Sequence, residues 1–572
     1  MHRGASDQPP LNPRMSRRGF LTATAGAVGA VAAQPLLAAC GHAGSGTSGT
    51  TSTSELSKIL PDYVPASGVK PDIPSVDGSD PGFITYPANL VRTVAEMPGA
   101  GSTYSTITPL WGSIPPANNQ YYQAVNKALG ATLQINPSNG NTYGQTLPTL
   151  FAGSKLPDWI QVPGWNEANV ANFGNEVQAS FADLTSYLSG ANVRKYPNLA
   201  ALPTGAWQAA VWSNKIYGIP VYPGTHIFAE QIFYRADLLT KLGLGTPSVK
   251  SAQDLFDLGK EVNDPKRGRW AFDDLWTSLY QPFAFLTGPP LMWTEDSKGD
   301  LVACWESPEI IEAMNWQAST VRAGMVHPDA LALQTSNAKQ RFWSGAVVIE
   351  GDGGGAWVGN DAVSGLAANK GYLRMSLPPF TASGSGTPVY YLNNSCNMFS
   401  YLSASLSRSQ ITEALRIANY LAAPFGSYEY TLVNYGVRDT DWTSSGSGPV
   451  LTAAGLKNVT NTFSFLATPL NVQNVEQGFV GVVKANTAWQ QTAGKYAVKP
   501  LFWNMNISVP ANLAAAWNAA TFTNASGNII QEVVRGKSTV ADYQAAVKSW
   551  QNNGGNALRR FYDGIRSKYG TA

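Results

Sequence analysis

The sequence is short of charge, of cysteine and of histidine. Only 13% of its 572 residues are charged, and 39 basic against 37 acidic side chains leave a formal net charge of +2. Such a chain has no basic surface for neutralising phosphates, which argues against nucleic acid as its main partner. Four histidines are too scattered to suggest a metal cluster, and no metal or cofactor is expected. No Gly-x-Ser-x-Gly elbow or His-Glu-x-x-His pair is present, so two common hydrolase chemistries lack their signature. No convincing membrane-spanning run occurs, because the one apolar stretch near the N-terminus is weak and interrupted.

That stretch reads instead as an export signal. "SRRGFLTATAGAVGAVAAQPLLAACG" carries twin arginines, Arg17 and Arg18, then an Ala/Gly-rich run, then Leu37-Ala38-Ala39-Cys40. The twin arginines resemble a twin-arginine signal and Leu-Ala-Ala-Cys resembles a bacterial lipobox. Cys40 is therefore the expected lipidated first residue, with residues 1–39 removed. From Gly41 to Ser54, twelve of fourteen residues are Gly, Ser or Thr, a composition that cannot bury a core. Residues 40–57 are expected to be an anchor and tether, with the working part outside the membrane. The remaining 533 residues carry a net charge of −1. Cys304 and Cys396 are left as one disulfide or two buried thiols.

What is abundant is aromatic: 17 Trp and 24 Tyr. Such rings offer an apolar face with a polar tip, suited to ligands of sugar-like shape. The ordered part is expected from about Ala95. "STITPLW", "ATLQINP" and "WIQVPGW" read as strands, with helices at "NNQYYQAVNKALG" and around Tyr143 to Ala152. Strand–helix alternation implies an α/β fold with a mainly parallel sheet, whose ligands bind beyond the carboxyl ends of strands. Trp111 and Trp165 stand in loops of that kind. A second α/β region starts near Ile227. Its clearest helix is "SPEIIEAMNWQASTVRAG", with Ser307 as the expected cap and Ile311, Met314, Ala318 and Val321 as the apolar stripe. "GAVVIEG" then reads as a buried strand, and helices close the chain, one capped by Ser538.

The loop leaving that strand, "IEGDGGGAW", poses a chemical choice. It lacks the Lys and Ser/Thr of a phosphate loop, and Glu350 and Asp352 are not continued into a calcium loop. A glycosidase needs two carboxylates set about 5–10 Å apart, which their alternation does not exclude, but acid pairs at such close spacing are common by chance. The preferred reading is a sugar shelf: Gly353 permits close backbone approach, Asp352 accepts hydroxyls, and Trp357 stacks on a ring. Trp276 and Tyr280 have helical spacing and are candidates for cleft or core.

These pieces occur in an order that resembles the extracellular solute-binding proteins of ABC importers, family 1, of the maltose-binding-protein type. The resemblance runs through "LFAGSKLPDWI", "NKIYGIPVYPG", "IFYRADLLTKLGLGTPSVKSAQDLFDLGKEV", "FWSGAVVIEG", "LAAPFGSYEYTLVNYGVRDTDW" and "IIQEVVRGKSTVADYQAAVKSWQNNGG". The chain departs from many relatives in the extra glycines Gly353 to Gly355, which displace Trp357 from their turn. The resemblance implies a two-lobed, type II periplasmic-binding fold, with residues 95–224 and 378–460 as one lobe and 225–377 and 461–572 as the other. Crossings are expected near Tyr222–Thr225, near Leu377–Pro379 and near residue 460. It adds Tyr222, His226, Asn393 and Asn394 as cleft residues. It implies a monomeric, non-enzymatic lipoprotein that binds an oligosaccharide and docks to ABC permease subunits. A surface polysaccharide hydrolase or lyase, and a binder of another solute such as a peptide, are the rival readings.

Overall fold

A computed structural model describes residues 51–571 apart from 67, 154–155, 446–447, 475–480 and 525–526. The expected signal, Cys40 and most of the tether lie outside the described residues. The first described helix, Thr53–Ile59, starts inside the expected tether. Ser52 caps it by accepting from the Glu55 N–H, and Leu56, Ile59 and Leu60 pack against a core. Order therefore begins well before Ala95. The described residues between 61 and 94 hold almost no periodic structure. They are tied down residue by residue, as where Phe83 meets Phe425 at 4.6 Å and pairs in parallel with Asn474.

Two sheets organise the rest. The first has the order Thr132–Asn139, Thr103–Leu110, Trp159–Pro163, Met398–Leu402, Gly218–Pro220. Its first three strands are parallel, and Met398–Leu402 runs antiparallel to both its neighbours. Its central strands are buried on both faces, so "WIQVP" and "MFSYL" are apolar throughout except where polar groups meet. Trp159 donates its indole N–H to Ser400 Oγ at 2.8 Å, satisfying both in the core. The second sheet has the order Trp270–Phe272, Val347–Gly353, Glu230–Arg235, Arg374–Ser376, with Glu230–Arg235 antiparallel to its two neighbours. Each sheet anchors its own hydrophobic core.

A small sheet, Ala497–Val498, Tyr390–Asn393, Ile227–Phe228, lies where the chain passes between the two. The outward passage follows Pro220, the end of strand Gly218–Pro220. The return crossing lies later than Leu377–Pro379. Leu377 N–H still bonds to Ile232 O, and Phe380 is buried in the second core. The chain joins the first sheet only after Asn393. The third passage lies beyond residue 460, since Phe463, Leu466 and Ala467 belong to the first core and Val482 to the second.

Helix ends follow local chemistry with small displacements. Helix Val540–Trp550 is capped by Thr539 in a capping box with Asp542, one residue past Ser538. Helix Pro308–Arg322 starts at its proline, but Ser307 makes no side-chain cap bond. Cys304 and Cys396 are free and buried, one in each core.

Candidate functional site

Three strands of the first sheet end on one aromatic group. Leu110 leads to Trp111, Pro163 to the 3-10 turn Gly164–Asn169, and Pro220 to Val221 and Tyr222. The ring centroids of Trp111 and Trp165 lie 6.1 Å apart. Phe465 joins the group at 5.7 Å from Trp111 and 5.9 Å from Tyr222. Trp165 is 48% exposed, the most open indole among the large apolar side chains at the surface, and Trp111 is half-buried. Their positions are set locally. A Cβ on Gly140 would fall 2.4 Å from the Trp111 indole, so only glycine lets that ring lie flat on the backbone. Tyr222 has φ +52°, a left-handed conformation costly for a bulky residue. Its N–H donates to Thr468 Oγ1 at 2.6 Å, and its carbonyl accepts from Asn471 Nδ2 at 3.0 Å. These bonds hold the strained backbone at the crossing itself.

The Gly164–Asn169 turn also borders a cavity between the two cores. Glu167, Asn172 and Trp212 line it from the first, and Asn506, Ser508 and Trp517 from the C-terminal segment. Its free volume is about 30 Å³, room for water but far below the ~300–1,000 Å³ of small-molecule sites. Asn506 Nδ2 donates to Ala209 O at 2.6 Å and to Val211 O at 3.0 Å, drawing the walls together. Asn141 Nδ2 reaches Ser336 O at 3.4 Å farther along the same divide. Among the described residues, Asn172 Oδ1 and Ser508 Oγ are buried without a partner. Glu167 is 6% exposed, and burial pushes its carboxyl up to about 8.

This buried acid gives a prediction. Because the folded value is raised, the folded chain holds a proton that the unfolded chain has lost, so stability falls as pH rises from about 4.5 to about 8 and is flat above. Glu167→Gln is expected to remove that slope and raise stability at pH 8 by up to ~4 kcal/mol, the upper limit set by the shift. Melting temperatures of both chains across pH 5–9 check it. Parallel curves would remove the assignment.

The residues around the second sheet behave differently. Trp357 is 1% exposed, its ring edge-on to Phe233 at 5.5 Å and its Nε1–H donated to Arg374 O at 3.0 Å. It is a core residue and offers no face to a ligand. The extra glycines turn the chain back through Gly354–Trp357 and carry the indole beneath the sheet. Asp352 is paired with Lys339 at 2.6 Å, and Gly353 closes the strand opposite Glu230. Glu350 is buried against Arg374, which also meets Asp361 at 3.3 Å and Asp352 at 3.6 Å. Burial raises the Glu350 carboxyl despite that guanidinium. Burial also raises Asp361, but Arg374 and Lys339 outweigh it and hold the group low. The two carboxylates of "IEGDGGGAW" are thus structural ion-pair members.

The other expected residues are scattered. Tyr280 is buried in the second core, edge-on to Tyr390 at 5.6 Å. Trp276 is half-buried against Phe285 at 5.4 Å. His226 packs over Gly78 and edge-on to Phe228 at 6.1 Å, with burial lowering its pKa. Asn393 pairs with Ile227 and its carbonyl accepts the Trp503 indole N–H at 2.8 Å. Asn394 Oδ1 accepts the N–H of Asn504 at 2.7 Å, which fixes the left-handed backbone there. Both asparagines frame a crossing. Of the expected set, Trp111, Trp165 and Tyr222 come together. Phe465, which joins them, and Glu167, which borders the cavity two residues after Trp165, were not among the expected residues.

The model of the family described as bacterial extracellular solute-binding protein matches residues 112–393. No curated protein sequence matches the chain. Among solved structures, the N-glycan transport solute binding protein of Streptococcus pneumoniae, in complex with Man1GlcNAc, is 16% identical. It has a TM-score of 0.56 and covers 81% of this chain and 99% of its own. The alginate-binding protein AlgQ2 is 14% identical, with a TM-score of 0.55 over 82% of this chain and 98% of its own. An HMO-binding solute-binding protein associated with an ABC transporter, from Bifidobacterium longum infantis, is also 14% identical. Its TM-score is 0.54 over 80% of this chain and 97% of its own. At these identities the likeness is one of fold.

Proposed function

Since this chain belongs to the bacterial extracellular solute-binding protein family, we propose that it captures an oligosaccharide between its two lobes and delivers it, unaltered, to the membrane permease of an ABC importer. In the same reading, lipid on Cys40 holds it at the outer face of the bacterial membrane.

One observation carries the reading: the part-open group of Trp111, Trp165, Tyr222 and Phe465 stands at strand ends, and the turn that carries Trp165 also lines the polar cavity between the lobes through Glu167. Flat apolar rings beside unsatisfied polar atoms suit a ligand with apolar ring faces and hydroxyl rims. Structures of the same fold that bind an N-glycan fragment, alginate and HMO support a sugar over other solutes. The enclosure of Glu350 beneath the sheet against Arg374 and the engagement of Asp352 by Lys339 speak for a binder over a hydrolase, since neither carboxyl is free to reach a glycosidic bond.

The shut cavity has a mechanical consequence. With about 30 Å³ free, a sugar ring enters only after the lobes part. Capture is then a hinge motion in which ligand favours the closed state by as much as it binds that state better. The Asn506 bonds to Ala209 and Val211 are the contacts such opening breaks.

A thermal-shift screen of the chain against an oligosaccharide panel tests the assignment, with raised melting temperature and intact sugar as the expected result. Silence across sugars together with a response to peptides would remove it. Trp165→Ala refines the test. Its ring is 48% exposed, so folding should change by less than ~1 kcal/mol while oligosaccharide affinity drops at least about tenfold. Calorimetric titration of the variant decides.

A further inference from the structure

The cavity between the lobes has no cation. Its lining offers amide, hydroxyl and indole groups with Tyr562, and Glu167 is its one carboxyl. Basic side chains tied to the second sheet are committed elsewhere: Lys339 to Asp352 and Asp361, Arg374 to Glu350, Asp361 and Asp352, Arg235 to Asp237 and Arg341 to Asp273.

Resting on the oligosaccharide reading above, we propose that this cavity accepts uncharged sugar residues and turns away uronates and other anionic sugars, and that Glu167 sets the preference. The side chain is more than nine-tenths buried, lies within electrostatic reach of the Tyr401 phenol, and makes no hydrogen bond or ion pair to any described residue. A buried acid survives that way only in its neutral form, the direction in which burial drives it. A neutral carboxyl both donates and accepts, which matches a sugar hydroxyl that does the same. Asn172 Oδ1 and Ser508 Oγ, also without partners, stand on the two walls and supply further acceptors for such hydroxyls. A uronate presents the opposite case. Its charge would leave water for a site with no counter-ion and with a carboxyl that repels it once ionised, which is the costly way to bury a charge.

The experiment is calorimetric titration of the full chain at pH 7 with oligomers of galacturonate, mannuronate and glucuronate. Each is paired with its carboxyl-reduced neutral form of the same linkage and length, beside neutral gluco-, manno-, galacto- and xylo-oligosaccharides. The neutral member of a binding pair is expected to bind at least about tenfold tighter than its acid. Acidic oligomers that bind as tightly as neutral ones overturn the proposal and leave the oligosaccharide reading standing. If no glycan binds at all, that reading fails and takes the proposal with it. Two variants isolate the residue. Glu167→Gln keeps a donor and an acceptor and should bind the neutral ligand within about threefold of the parent, whereas Glu167→Leu should lose at least about tenfold with a melting temperature no lower than the parent's. Parent-like affinity in Glu167→Leu removes Glu167 from the recognition.

Discussion

Replacing Arg374 with Met is expected to cost about 3–5 kcal/mol of folding stability, because it leaves buried carboxylates without their counter-ion. Arg374 is fully buried and meets Glu350, Asp361 and Asp352. Its Nε–H donates to Tyr372 O–H at 2.9 Å, and its guanidinium lies 4.6 Å from the Phe342 ring centre and 4.9 Å from that of Phe233. Without it, Lys339 is the cation left to Asp352 and Asp361, and the buried Glu350 loses its ion-pair partner. The methionine fills much of the volume, so the loss reports charge and not a cavity. Adding Glu350→Gln to Arg374→Met should recover part of the loss, since the groups form one network and their effects do not add. Urea denaturation of the single and double variants measures both. A single variant within ~1 kcal/mol of the parent would show that the network contributes nothing net, the usual finding for exposed pairs.

Trp357→Ala is expected to cost a similar ~3–5 kcal/mol, the range for deleting a large aromatic from a packed core. The indole is enclosed by the second core and its N–H bond to Arg374 O would be lost with it. Ligand affinity of the folded fraction should stay near the parent's. Trp165→Ala predicts the reverse pattern, sound folding with weakened binding, so the pair separates a structural tryptophan from a ligand-facing one. A Trp357→Ala chain that melts like the parent but no longer binds sugar would return Trp357 to the cleft. Because Trp357 and Arg374 touch, the double variant should lose less than the two single losses combined.

The contrast between these two tryptophans shows where reading along the chain stops. Both follow a strand and a glycine, and both read as loop residues at a binding edge. Trp165 follows Pro163-Gly164 directly and stays on the rim. Trp357 follows Gly353, Gly354 and Gly355, whose conformational freedom allows a turn back under the sheet. Trp111 and Trp165 were legible as loop residues because glycine and proline mark the strand ends beside them, and Tyr222 entered only through the family resemblance. Phe465 was not legible, since only the third passage of the chain brings it against Trp111 and Tyr222.

The sequence by itself determined the alternation of strand and helix, most helix starts and stops, and the aromatic loops of the first sheet. Each of these depends on residues within a few positions of one another, where dihedral preference, capping and apolar period act directly. Only the tertiary structure decided which acids are engaged and which is alone. Glu350 and Asp352 are neutralised by Arg374 and Lys339, and Glu167 faces a cavity whose other wall comes from Asn506, Ser508 and Trp517. A charge is satisfied or stranded by what surrounds it in space, and those neighbours come from distant parts of the chain.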